Sequence, residues 1–208
     1  MQKILSIIMT VMFAVTMQAQ RNTPVKTQGK NEVRVTLQPK IGLNFATLTK
    51  SDAHTKVGMV IGMDAEVMLS KKWGISVGAL YSIQGATGDA FNLGSRSDAS
   101  ITLNYLAFPV TANYYFYKEY SFKIGLQPAV NVVSRVTADN YRNYETFNIR
   151  RLGVGVNEYD WAMPIGFAYE KKGFVIDAHY NIPLKRAARD YNNKNSVFQF
   201  IIGYKFDI

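Results

Sequence analysis

Eight stretches of this 208-residue chain alternate apolar and polar side chains with a period of two. Ile41, Leu43 and Phe45 stand against Lys40, Gly42 and Asn44, and Ile61, Met63, Ala65, Val67 and Leu69 against Gly62, Asp64, Glu66 and Met68. Ile75, Val77, Ala79, Tyr81 and Ile83 alternate with Gly74, Ser76, Gly78, Ser82 and Gln84. The same rhythm returns over residues 106–116, 122–132, 161–169, 174–182 and 198–206. Strand side chains point to opposite faces in turn, whereas a helix needs apolar residues every three or four positions. The pattern predicts an all-β fold of eight amphipathic strands beginning near residue 35.

The connections restrict the fold further. Tight polar turns at Ser70-Lys71-Lys72, Lys118-Glu119 and Lys171-Lys172 join strands two to three, four to five and six to seven. The other connections are long: residues 49–55, 85–100, about 135–157 and about 184–195. Short turns at one end and long loops at the other characterise transmembrane barrels, with the short turns in the periplasm. The apolar face is nearly continuous, and the polar face carries glycines and few charges. Charged residues make up only 19% of the chain, below the roughly 25% of an ordinary soluble domain. A closed sheet in lipid satisfies every backbone group and turns such an apolar face outward. Mean hydropathy of −0.08 excludes a polytopic helical membrane protein. The expected fold is therefore an eight-stranded antiparallel up-and-down transmembrane β-barrel.

Aromatic positions fit two membrane interfaces. Trp73, Phe116, Phe122, Tyr169, Phe174 and Phe206 fall beside the short turns, and Phe45, Tyr81, Trp161, Tyr180 and Phe198 beside the long loops. Pro39, Pro109, Pro128 and Pro164 lie inside the expected strands. Proline removes a ladder hydrogen bond, so each must occupy a bulge or a strand end.

The first 19 residues, MQKILSIIMTVMFAVTMQA, place Lys3 before an apolar run and end on a small residue, the layout of a cleavable secretory signal. Residues 20–34 read as a polar leader and 35–208 as the barrel domain. Cleavage would leave 189 residues and lower the net charge from +9 to +8. No cysteine is present, which excludes disulfides, thiol nucleophiles and a lipid anchor on cysteine.

The runs KIGLNFATL (40–48), LNYLAFPVTANYYF (103–116), KIGLQPAV (123–130), YDWAMPIGFAYEKKGFVIDAHYNI (159–182) and VFQFIIGYKF (197–206) resemble the PorT-type outer-membrane β-barrel family. The resemblance implies a small barrel in the outer membrane of a Gram-negative cell, and its namesake is associated with protein secretion. Ala107 and Asn113 stand where the family's fourth strand usually has glutamate and lysine, and His179 where its seventh has arginine.

An eight-stranded barrel has an interior just wide enough for side chains to fill. The polar parity turns Lys40, Asn44, Asp64, Glu66, Gln84, Lys123, Gln127, Asn131, Asp160, Glu170, Asp177, His179, Gln199 and Lys205 inward. Within that set, Lys40, Asp64, Glu66, Lys123, Asp177, His179 and Lys205 are the candidate interior polar network, with Lys40 expected across the first hairpin from Asp64. Buried charges demand partners, so mixed signs are expected of a plug. The alternative is a small outer-membrane enzyme, or a barrel binding lipid or another small ligand, that uses Asp64, Glu66, Asp177 and His179. Gly74-Ile75-Ser76-Val77-Gly78 has the spacing G-x-S-x-G but falls inside an expected strand, where it makes no nucleophile turn. No phosphate-binding glycine loop accompanies those residues, and the only other histidine is His54. The expectation is a non-enzymatic protein with no cofactor and no bound metal.

The long loops carry the remaining signal. Tyr141, Tyr144, Phe147, Arg142, Arg150 and Arg151 share one of them, a composition suited to a protein or glycan partner. Across the long-loop regions eleven basic residues face six acidic ones, a surplus of five. Arg150, Arg151, Arg186 and Arg189 are the expected contacts to lipopolysaccharide phosphates, which guanidinium groups grip in bidentate fashion. The partners expected are outer-membrane lipid, lipopolysaccharide and a protein at the extracellular loops; nucleic acid is not expected of an exported chain.

Overall fold

The computed structural model describes residues 34–48, 54–88, 99–140, 143–148, 158–184 and 195–208. The signal segment, residues 20–33 of the leader, and Arg150, Arg151, Arg186 and Arg189 lie outside them. The described chain is entirely strand and turn. Its strands are β1 (Val35–Leu48), β2 (His54–Met68), β3 (Trp73–Gly88), β4 (Ala99–Ala107), β5 (Val110–Tyr117) and β6 (Tyr120–Asn140). They continue with β7 (Asn143–Asn148), β8 (Tyr159–Lys171), β9 (Phe174–Pro183), β10 (Asn195–Tyr204) and β11 (Phe206–Asp207).

Every pairing is antiparallel, and β1 closes on β10 with Ile41 opposite Ile202 and Phe45 opposite Phe198. β4 and β5 are two halves of one staved position between β3 and β6, and β10 and β11 are likewise two halves of the last. The object is a closed eight-stranded antiparallel barrel. Closure removes the free edges that an open sheet would expose to lipid.

The prolines lie where the ladders are interrupted. Pro109 occupies the break between β4 and β5, and Pro128 sits opposite that break, accepting the Phe108 amide at 2.8 Å. Pro39 faces the gap between β10 and β11. Pro164 stands where the β6–β8 ladder skips from Ile124–Ile165 to Gln127–Ala162.

Two expected boundaries change. The connection over 135–157 is strand for much of its length, because β6 runs 21 residues to Asn140 and β7 folds back on it. There VTADN and NYETFN lack apolar alternation, since a strand that has left the bilayer keeps its backbone ladder without needing a lipid-facing side. Similarly, β3 continues to Gly88 and β4 starts at Ala99, which shortens the connection expected over 85–100. The third tight turn is Lys172-Gly173, with Lys171 paired to Phe174. Both turn residues have positive φ, 52° and 83°. That is the geometry of a two-residue primed hairpin, and glycine supplies it at the second position without steric penalty.

The apolar rows face out. Ile61 is 53% exposed and Phe167 61%, whereas inward Asn44 and Gln199 are fully buried. Near the short turns the outward rings touch in sequence: Tyr120 with Tyr169 (4.9 Å), Phe174 with Tyr204 (5.0 Å) and Tyr204 with Phe206 (4.7 Å).

Candidate functional site

The interior polar residues are carried by alternate positions of facing strands, and their space comes from what stands opposite. A methyl group on Gly78 would fall 2.0 Å from Asp64 Oδ1, and one on Gly74 would fall 2.6 Å from Glu66 Oε1. Glycine on β3 therefore makes room for the two carboxylates of β2. Lys40 Nζ donates to Asp64 Oδ2. The hairpin register is shifted by two residues from the expected one: Gln38 lies opposite Asp64, and Lys40 opposite Gly62, so the lysine reaches its partner diagonally.

A second ion pair links Lys123 Nζ to Asp177 Oδ2 at 2.6 Å. From Asp177 a chain of hydrogen bonds crosses the barrel. Asp177 Oδ1 lies 2.7 Å from His179 Nδ1, and His179 Nε2 lies 2.6 Å from Gln199 Oε1. Gln199 in turn donates to Asn44 Oδ1. The amide orientations are fixed at the far end, where Asn44 Nδ2 donates to the main-chain oxygens of Met59 (3.0 Å) and Ile83 (2.8 Å). Asn44 Oδ1 must then receive the Gln199 amino group, which leaves Gln199 Oε1 facing the imidazole. Both His179 nitrogens face side-chain oxygens, Asp177 Oδ1 on one side and Gln199 Oε1 on the other.

The remaining charges gather toward the short turns. Glu66 accepts from Asn113 Nδ2 (2.6 Å), Tyr115 Oη (2.7 Å) and Lys205 Nζ (2.5 Å), and Lys205 also donates to Glu170 Oε2 at 2.7 Å. Lys40, Lys123 and Lys205 thus stand against Asp64, Glu66, Glu170 and Asp177, each charge within an ion pair. Glu170 is half-buried, as is Asp160, whose Oδ1 accepts the Trp161 amide at 2.8 Å. The expected interior set is brought together as two adjoining clusters, with Gln127 and Asn131 buried beside them. Tyr115 is a further member. The alternation that turns Tyr114 and Phe116 outward could have found it.

Across the waist the polar groups meet an apolar cluster of Val60, Leu80, Leu103, Tyr105, Ala107, Ala129 and Ile201. The cavity between the two ion pairs measures about 20 Å³, room for a single water molecule. Among the described residues no group of three or more histidine or carboxylate side chains could hold a metal ion. At the short-turn mouth the Glu66–Lys205 cluster floors a wider cavity of about 420 Å³.

A family model described as Outer membrane protein beta-barrel domain matches residues 18–188. No curated protein sequence matches the chain. Among solved structures, Ail, the attachment invasion locus protein of Yersinia pestis, in complex with the heparin analogue sucrose octasulfate, is 15% identical. It superposes with a TM-score of 0.50 over 85% of this chain and all of its own. Neisserial surface protein A is 10% identical, with a TM-score of 0.50 over 83% of this chain and 97% of its own. These likenesses are of fold.

Proposed function

The chain belongs to the outer membrane protein beta-barrel domain family, and from that premise we propose that it is a sealed, non-enzymatic barrel that acts through its extracellular loops. One observation carries the reading: the charged side chains of the lumen are joined in ion pairs, with a gap between the Lys40–Asp64 and Lys123–Asp177 pairs of only about 20 Å³. A filled eight-stranded lumen passes no solute stream, and both nitrogens of His179 are occupied by neighbouring side chains. Function then falls to the parts outside the bilayer. Within the family, the strand motifs favour a PorT-type member, exported with removal of residues 1–19.

The partner chemistry is anionic. Arg150, Arg151, Arg186 and Arg189 would grip lipopolysaccharide phosphates, each exposed contact worth little singly and the set acting together. The ligand in the Ail complex is itself a polyanion analogue, but the argument for this chain rests on its own arginines. A protein partner at the same loops is the next candidate.

Planar-bilayer recording of the purified barrel should show no large stable conductance. A steady channel of porin size would overturn the sealed reading. Changing all four arginines to glutamate should leave a heat-modifiable, folded barrel that retains less co-purifying lipopolysaccharide. Unchanged retention would assign the loop charge to another partner.

A further inference from the structure

The mouth on the short-turn side has a charge arrangement that the sealed interior does not need. Its cavity of about 420 Å³ is bordered by Arg34, Lys71, Lys72, Lys118 and Lys205 against Glu66 and Glu170, a surplus of three positive charges. Two of these cations are engaged: Arg34 with Asp207, and Lys205 with both glutamates. Lys71, Lys72 and Lys118 make no ion pair among the described residues. They stand on two neighbouring turns, the one between β2 and β3 and the one between β5 and β6. The strands behind them are tied together, since β3 pairs with β5 and the Tyr115 amide donates to the Lys72 carbonyl at 2.8 Å. Backbone hydrogen bonds thereby hold two turns, with three lysines that make no ion pair among the described residues, around one opening.

A second observation points into the same cavity. Thr36 lines it and is 3% exposed, yet its Oγ1 has no hydrogen-bond partner among the described residues. Buried hydroxyls are normally satisfied, so this one has a hydrogen bond left to give at the cavity wall.

We propose that this mouth is a binding site for a phosphate-bearing ligand, seated on Lys71, Lys72 and Lys118 and within reach of the Thr36 hydroxyl. Lysine binds phosphate as a compact point charge, and three of them match a group that carries more than one negative charge. The floor limits how deep the ligand goes. Glu66 and Glu170 outnumber Lys205 there, so the phosphate stays at the lip while Met68 and Tyr117 offer apolar surface to an organic body. The volume falls within the ~300–1,000 Å³ of small-ligand pockets. Both a soluble phosphorylated metabolite and a phospholipid headgroup of the facing leaflet supply this chemistry.

The test uses the full-length folded barrel in phosphatidylcholine nanodiscs, with inorganic pyrophosphate as the probe and titration calorimetry as the readout. Saturable binding is expected, and Lys71→Gln/Lys72→Gln/Lys118→Gln should weaken it about tenfold or more, since each exposed charge contact contributes a factor of roughly two to five. In the background with all four loop arginines changed to glutamate, the same loss on replacing the three lysines should persist, which separates this site from the extracellular one. Repeating the titration with phosphatidylglycerol added to the nanodisc identifies the source: competition marks a headgroup site, and unchanged binding marks a soluble ligand. Absence of saturable binding, or equal binding by the triple glutamine variant with its heat-modifiability intact, would overturn the proposal.

Discussion

Strand β9 carries two molecules' worth of chemistry on its two faces. Inward, Val175, Asp177, His179 and Asn181 are all at most 7% exposed; outward, Phe174, Ile176 and Tyr180 are 63%, 44% and 42% exposed. In a water-soluble protein the assignment would be reversed, with the ionisable residues outside. The difference teaches where the energetic constraint lies for each face. The outer face must only be apolar, so many residues can serve at any position. The inner face buries its charges, so each charged residue there depends on a named partner.

The sharpest way to break this contrast is to leave an inner charge unpartnered. Asp177→Ala removes the counter-charge of Lys123 and the acceptor of His179, and should destabilise the barrel by about 3–5 kcal/mol, read from denaturant unfolding in lipid. The double replacement Lys123→Met/Asp177→Leu should recover most of that loss, because no charge is then stranded. A single variant as stable as the double would mean that the pair does not specify the interior.

Next in size is an intrusion on the outer face. Ile61→Arg, in the middle of β2, should cost about 2–4 kcal/mol if its position is at the bilayer midplane, and Ile61→Leu almost nothing. Equal tolerance of both by the same unfolding measurement would place this part of β2 outside the hydrocarbon.

The smallest effect belongs to the exposed rim. Arg34 Nε donates to Asp207 Oδ1 at 2.5 Å, and this hydrogen bond holds the Asp207 carboxyl below its ordinary range. A depressed carboxyl contributes stability that is present above the unfolded-state value, about 3.9, and is lost as the pH falls through the folded one. Arg34→Gln should therefore lower stability by less than about 1 kcal/mol at neutral pH. The gap between parent and variant should close below about pH 4.

Much of this was legible in the sequence because the side-chain period of a strand is two and lipid punishes a wrong face. Parity alone separates Lys123 and Asp177 from Ile124 and Ile176. It does not pair them: they are 54 positions apart and meet only because β6 and β9 both curve round to the same lumen. Lys40 and Asp64 belong to one hairpin, which is why their proximity could be read, although the diagonal reach could not. The β7 hairpin escaped because its residues lack apolar alternation, and the in-strand prolines were ambiguous until the neighbouring ladders showed their gaps. The basic mouth was invisible as a unit, since Lys72 and Lys118 come from different turns.

The seam between β1 and β10 has a consequence for biogenesis. Its partners, such as Lys40 and Gly203, are separated by nearly the whole domain, so the contact that completes the ring is also the one of longest sequence separation. Contacts of that kind form slowly, and until this one forms both terminal strands present open hydrogen-bonding edges that hydrocarbon cannot satisfy. An intermediate lacking only the last strand is thus a sheet with two adhesive borders. It must be shielded during insertion or it will pair with its neighbours.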